Sequence, residues 1–204
     1  MMRLSLTLPA CALWKMALWV AFSSALAPWS QAQTVSAKLM VCAACHGADG
    51  NSQLQGAPSL AGQPKVFIEN QLVMIREGMR NIAVMQGMLD GVSDDEIAAI
   101  AAHYAALPLK KPPADRQAVL YALGEKKSND MRCGICHLPN YVGREQIPRL
   151  AGQREDYLLH SMRQFKSNRA IGRDTIMAAS LYGVGDDDLK AIAHYLSRLA
   201  PAAP

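Results

Sequence analysis

Two all-α domains in tandem are the architecture that the sequence predicts, and three observations carry that prediction. The 204-residue chain is written twice: "CAACH" at 42 returns as "CGICH" at 133, "PSLAGQ" at 58 as "PRLAGQ" at 148, and "MQGMLDGVSDDEIAAI" at 85 as "MAASLYGVGDDDLKAI" at 177. The offsets of 91, 90 and 92 differ as small loop insertions would make them, with the order of elements preserved. Apolar residues recur at helical spacing in both halves, and strand signals are weak everywhere. Between the halves runs "LPLKKPPAD" (107–115), whose prolines stiffen the chain and forbid a continuing helix. The division is a domain at 33–109, a linker at 110–113 and a second domain at 114–204.

The first residues stand apart. Arg3 and Lys15 with no acid, the apolar "MALWVAFSSAL" (16–26) and small residues at Ser30 and Ala32 have the layout of a cleavable secretory signal, 1–32, cut after Ala32. The apolar run is short for a membrane-spanning helix, which takes roughly 20 residues. Cys11 is discarded with the signal, so the mature chain is exported with four cysteines, all of them in the two CxxC motifs. About nine residues then precede Cys42, which predicts a short leading helix for the first domain.

The remaining helices follow in order. Gln63-Pro64 opens one, with proline tolerated in a first turn and Phe67, Met74 and Ile75 available for burial. Ser93 with Glu96 is a capping-box signature, and Ile97, Ile100, Tyr104 and Leu107 follow at helical spacing. Arg116–Glu125 reads as the leading helix of the second domain. The two repeats then predict a helix from near Gln153, with Tyr157, Leu158, Met162 and Phe165, and one from about Asp186 to Leu199. Each half is small enough that apolar burial alone stabilises it marginally, so something large and hydrophobic is expected at each centre.

Removing the signal leaves 19 basic against 17 acidic side chains, a balance that gives no support to nucleic-acid binding. The charge is unevenly spread, −3 over 33–109 and +5 over 110–204, a pattern suited to oriented docking.

Cys42, Cys45 and His46 share one helical turn, as do Cys133, Cys136 and His137, so each set presents two thiols and one imidazole to a single object. Haem fits: its vinyl groups take the thiols as thioethers and its iron takes the imidazole, and C-x-x-C-H is the attachment signature of c-type haem. A local disulfide would leave the histidines unexplained. Zinc would need a second pair of ligands in each module, which neither offers. Two covalently bound haem c groups are therefore expected.

A methionine sulfur opposite histidine gives a raised potential. The first domain offers Met40, Met74, Met79, Met85 and Met88, and methionine at helical spacing is usually core filler. The repeat chooses among them: at offset 92 Met85 falls on Met177, whereas Met88 falls on Ser180. Met85 and Met177 are the expected axial partners of His46 and His137. Pro58 and Pro148 occupy matching positions, where a nearby carbonyl would accept the Nδ1–H of each haem histidine and fix its ring. His103, His160 and His194 read as surface or satisfied core residues. The acidic triplets at 94–96 and 186–188 read as favourable helix N-terminal charge.

With both CxxCH motifs, both "P-x-LAGQ" segments, a later methionine and a "D-D-[ED]-[IL]" helix in each half, the whole mature chain resembles the diheme cytochromes of the cytochrome c4 type. The resemblance implies two tandem class I cytochrome c domains, each wrapped round one haem, packed about a pseudo-twofold axis with haem edges facing. It implies a non-enzymatic, periplasmic electron carrier working toward terminal oxidases. Partners would be redox proteins: a quinol-oxidising complex, a dehydrogenase or a haem-copper terminal oxidase, with peripheral association with membrane complexes. The short leading helix of the first domain departs from the usual packing of first helix on last. Two other readings stay open: a diheme electron-accepting subunit of a dehydrogenase, such as a flavoprotein oxidising sulfide, and a diheme peroxidase. Matched methionines and modest length argue against the peroxidase. With two propionates per haem the halves would carry about −5 and +3, so a basic partner would meet the first and an acidic one the second, with salt-sensitive rates.

Overall fold

The computed structural model describes residues 27–171 and 173–200, with side chains from residue 35 onward. Most of the expected signal segment, with Cys11, lies outside the described residues. Its last part does not: helix α1 (Ala27–His46) runs unbroken through the expected cut after Ala32 and ends on the first CxxCH histidine. The leading helix is therefore longer than the sequence spacing suggested, and residues 33–46 are helical throughout.

The first half continues with α2 (Lys65–Arg76), a 3-10 turn at Ala83–Met85, and α3 (Asp94–Ala106). The second holds α4 (Ala118–Asp130), α5 (Gly134–His137), α6 (Glu155–Lys166), α7 (Thr175–Ser180) and α8 (Asp186–Ser197). Among the described residues there is no strand, only an isolated bridge between Arg144 and Ile147. No described helix is long and apolar enough to cross a membrane.

Local chemistry sets the boundaries. Ser93 and Glu96 close the expected capping box: Ser93 Oγ accepts the Glu96 N–H at 3.3 Å and Glu96 Oε2 accepts the Ser93 N–H at 2.9 Å. Pro64 stands one residue before α2. α4 starts at Ala118 rather than Arg116, with Gln117 as its N-cap. The Gln117 N–H donates to His194 Nε2, and the Arg116 guanidinium to the Arg198 carbonyl.

Two hydrophobic clusters form, one per half. In the first, Ile68 and Leu72 of α2 pack with Leu89, Val92 and the α3 residues Ile97, Ile100, Ala101 and Tyr104. Of the three α2 residues expected inside, Phe67 and Ile75 only flank this cluster and Met74 lies outside it. The buried ridge of α2 is the i, i+4 pair 68 and 72, which faces α3. In the second cluster Leu158 and Met162 of α6 meet Leu189, Ile192, Ala193, Tyr195 and Leu196 of α8. α4 crosses α8 at Gly124, where a Cβ would lie 2.0 Å from the Ala191 carbonyl oxygen, so only glycine permits the approach.

The halves meet through a crossed pair of glutamines. The Gln63 amide donates to the Arg149 carbonyl at 3.1 Å and its Oε1 accepts the Arg149 N–H at 3.0 Å. Gln153 does the same to Ser59, at 2.9 and 2.8 Å. Gln63 and Gln153 close the two "LAGQ" copies, and Ser59 and Arg149 follow the two matched prolines. Each half thus grips the same backbone position of the other, a two-fold relation of the kind the family resemblance implies.

Candidate functional site

The first thiol of each CxxCH set, Cys42 and Cys133, is half-buried against its own core cluster, and the second, Cys45 and Cys136, is exposed. All four are free. Burial pushes the Cys42 and Cys133 thiols up, so at neutral pH they are thiols packed on apolar surface rather than exposed thiolates.

Each histidine is fixed by a proline carbonyl. His46 Nδ1 donates to the Pro58 oxygen at 2.8 Å, and His137 Nδ1 to the Pro148 oxygen at 2.9 Å. A carbonyl only accepts, so the Nδ1 atoms carry the protons and the Nε2 lone pairs stay available. Both rings are buried, and that burial lowers their pKa, the carbonyl contacts opposing it. Neutral imidazoles with a committed Nδ1–H and a free Nε2 are what iron ligation requires. The acceptors are the prolines themselves, the positions singled out in the sequence.

The loops that hold these carbonyls are built alike. Gly50 O accepts the N–H groups of Leu60 and Ala61 at 2.8 and 3.0 Å, and Tyr141 O those of Leu150 and Ala151 at 2.8 and 3.1 Å. Each "LAGQ" glycine then donates to the last helix of its half, Gly62 to Tyr104 O at 3.0 Å and Gly152 to Leu196 O at 2.9 Å. One continuous path joins the CxxCH turn, the proline carbonyl and the final helix.

Met85 ends the 3-10 turn and is partly buried; Met177 sits on α7, partly buried against the second cluster. Met88, the competing candidate, is 46% exposed. His103 and His160 are exposed, His103 with its ring edge against Tyr104. His194 is wholly buried and satisfied: Nε2 accepts from Gln117, and Nδ1 faces Glu155 Oε2 at 3.3 Å. The acidic triplets fall in the first turns of α3 and α8, as expected.

The donor sets fit a haem. Each supplies two unpaired thiols one turn apart, next to an imidazole whose tautomer leaves Nε2 free. Among the described residues no group of three or more His, Cys, Asp or Glu gathers as a simple metal-ion site. Two features escaped the sequence reading. The glutamine clamp was visible only as a repeated "LAGQ", with nothing to show that the glutamine crosses to the other half. Arg149, fully buried, was hidden because a lone arginine after proline reads as surface.

A family model described as cytochrome c oxidase, cbb3-type, subunit III matches residues 27–103. Cytochrome c4 of Pseudomonas aeruginosa is 34% identical over 172 residues, covering 80% of this chain and 86% of that protein. A thiosulfate dehydrogenase electron acceptor of Thiomonas intermedia is 33% identical over 187 residues, covering 86% and 85%. The crystal structure of reduced recombinant cytochrome c4 from Pseudomonas stutzeri superposes with a TM-score of 0.75 at 31% identity, covering 82% of this chain and 98% of that one.

Proposed function

The chain belongs to the cytochrome c4 family and carries two covalent haem c groups on its CxxCH motifs; from that premise we propose that it is an exported, periplasmic diheme electron carrier. The observation that carries the reading is the repeated pair of buried histidines, each with Nδ1–H given to a proline carbonyl and Nε2 free. Each haem, when bound, supplies one iron that takes up and releases a single electron. The rest is the work of the chain. Cys42, Cys45, Cys133 and Cys136 hold the groups by thioethers. His46 and His137 would ligate from rings already fixed by the proline carbonyls, so little rearrangement of the chain would accompany a change of charge. Met85 and Met177 would supply the second protein ligand of each iron, with 33–109 and 114–204 as the two carrier domains and 110–113 as linker.

Partners are redox proteins, and the acidic first half and basic second half orient them. One reading delivers electrons to a haem-copper terminal oxidase from a quinol-oxidising complex. The likeness to a thiosulfate dehydrogenase electron acceptor over most of both chains favours a second, in which the donor is a sulfur-oxidising dehydrogenase. In both the chain accepts and passes electrons and catalyses no reaction of its own.

Spectroscopy of the purified protein tests the site. The weak methionine-to-iron charge-transfer band should fall by half in Met85→Ala and by half in Met177→Ala, while Met88→Ala leaves it intact. Loss of the band in Met88→Ala instead would overturn the ligand assignment. The mass of the native complex separates the partners: stable co-purification with a dehydrogenase supports the second reading, a free monomer the first.

A further inference from the structure

Arg149 is 1% exposed and heads the largest fully buried side chains. Nη2 donates to the Ala61 carbonyl of the first half at 3.0 Å, and Nη1 to the Ala151 carbonyl of its own. Both acceptors are neutral. Nε–H has no partner, and Arg149 Nε is the buried side-chain nitrogen or oxygen left unsatisfied among the described residues. No described carboxylate pairs with this guanidinium; the ion pairs of the other arginines lie elsewhere.

A buried charge is costly to leave unpaired, and a buried N–H is costly to leave unbonded. Desolvation lowers the Arg149 pKa only to about 10, so the group stays a cation at neutral pH. The chain therefore encloses, between its halves, a permanent positive charge that lacks both a counter-ion and one acceptor. Haem c brings carboxylates, which supply both. The matched position in the first half is Ser59, whose Oγ is occupied by accepting the Ser52 N–H at 3.2 Å. The two centres thus differ by one buried charge. It stands next to Pro148, whose carbonyl holds His137.

We propose that Arg149 gives its unpartnered Nε–H and its charge to a carboxylate of bound haem, and so raises the reduction potential of the haem held by Cys133, Cys136 and His137. A nearby cation favours the iron state with one electron more, so removing it must lower that potential. Arg149 is a positioning and tuning residue; it acts on the iron through the haem carboxylate. The inference rests on the diheme carrier reading, which a pyridine haemochrome assay tests separately by counting two haems c per chain.

The test is a spectroelectrochemical titration of the holoprotein, with the two centres told apart by their haem-methyl NMR signals. Arg149→Gln should lower the potential of the second-half haem and move the other less; Arg149→Lys should keep most of the original value. Because Gln63 grips the Arg149 backbone and not its side chain, the clamp survives both substitutions. Unchanged potentials in Arg149→Gln with only a lower melting temperature would mean a packing role and overturn the proposal, as would a shift confined to the first-half haem. Wild-type protein gives an independent check. A propionate bending mode of the second-half haem in the resonance Raman spectrum should shift between H2O and D2O, and the absence of any isotope shift from that haem's two propionates would overturn the proposal even if Arg149→Gln failed to mature.

Discussion

The first half turns out of its CxxCH helix on Gly47 and Gly50, at φ 83° and 70°; the second makes the same two turns on Leu138 and Tyr141, at 68° and 57°. The left-handed conformation costs a residue with a side chain about 1–2 kcal/mol, and glycine almost nothing. Packing offsets the cost in the second half. Tyr141 is buried and meets Tyr195 edge to face, with ring centroids 6.0 Å apart, and Tyr195 also meets Tyr121 at 5.0 Å between centroids. In the first half a Cβ on Gly50 would lie 3.0 Å from the Ala61 nitrogen and 3.1 Å from the Tyr104 ring, so no such cluster can form. The helix pairs differ in the same sense. α4 is driven onto α8 through Gly124, and α8 is buried at every residue from Ala191 to Ser197. In the first half α1 flanks the core through Val35, Leu39 and Cys42. One backbone path is held by conformational freedom in one copy and by aromatic packing in the other.

The strongest way to break the second half is at its helix crossing. Gly124→Leu should cost at least about 4 kcal/mol, because the clash is with the Ala191 backbone and no side chain can move aside. Thermal unfolding followed at the haem bands of the two centres should show the second half lost first. Simultaneous loss of both would mean that the halves unfold as one unit. The clamp gives the next largest effect. Gln63→Ala and Gln153→Ala each remove two buried hydrogen bonds between the halves and leave a backbone N–H and carbonyl unpaired, about 2–4 kcal/mol apiece, and Gln153→Ala also frees the partly buried Arg154 N–H. Urea unfolding should find the two costs similar; a wide gap would show that the two-fold relation is geometric but not energetic.

The turns sharpen the comparison further. Gly47→Ala should destabilise by about 1–2 kcal/mol, since its Cβ would meet the Asn51 oxygen at 2.7 Å in a left-handed residue. Leu138→Gly should change stability by less than about 1 kcal/mol, because relief of strain is offset by the freedom glycine gains in the unfolded chain. The smallest effect is electrostatic. Burial would raise the Asp156 pKa, but Arg154 and the Gly56 N–H outweigh it and hold the carboxylate below its ordinary 3.8. A depressed folded pKa gives stability that is present above the ordinary value and lost as pH falls through the folded one. The Gly56–Asp156 contact between the halves should therefore weaken only below about pH 4. Exchange of the Gly56 amide against pH measures this, and Asp156→Asn should remove the dependence.

Features that repeat or act locally were legible in the sequence: the CxxCH turns, the capping box at Ser93, the matched prolines beside His46 and His137. Their chemistry lies within a few residues, and the CxxCH turns and prolines are written twice; the capping box is not, since Gly185 stands where Ser93 does. Contacts that join distant residues were not legible. A glutamine at the end of "LAGQ" gives no sign that its partner is some 90 residues away. Helical spacing told that α2 buries one face, but not that Ile68 and Leu72, rather than Phe67 and Met74, lie under α3. That choice depends on the crossing angle, which local pattern does not encode. Leu138 and Tyr141 hid the second pair of turns, because the signature of a left-handed turn is glycine.

The crossed glutamines have a consequence for how such a chain can arise. A surface that grips its own likeness, each copy giving and receiving the same contact, is self-complementary and closes after one pairing. A single half already carries both the gripping glutamine and the backbone it grips, so two copies of it offer each other the same pair of contacts. Gene duplication with a short tether then turns an association that depends on concentration into one that does not, without inventing a new surface. Once closed, neither half has the face left to recruit a third, and growth stops at two.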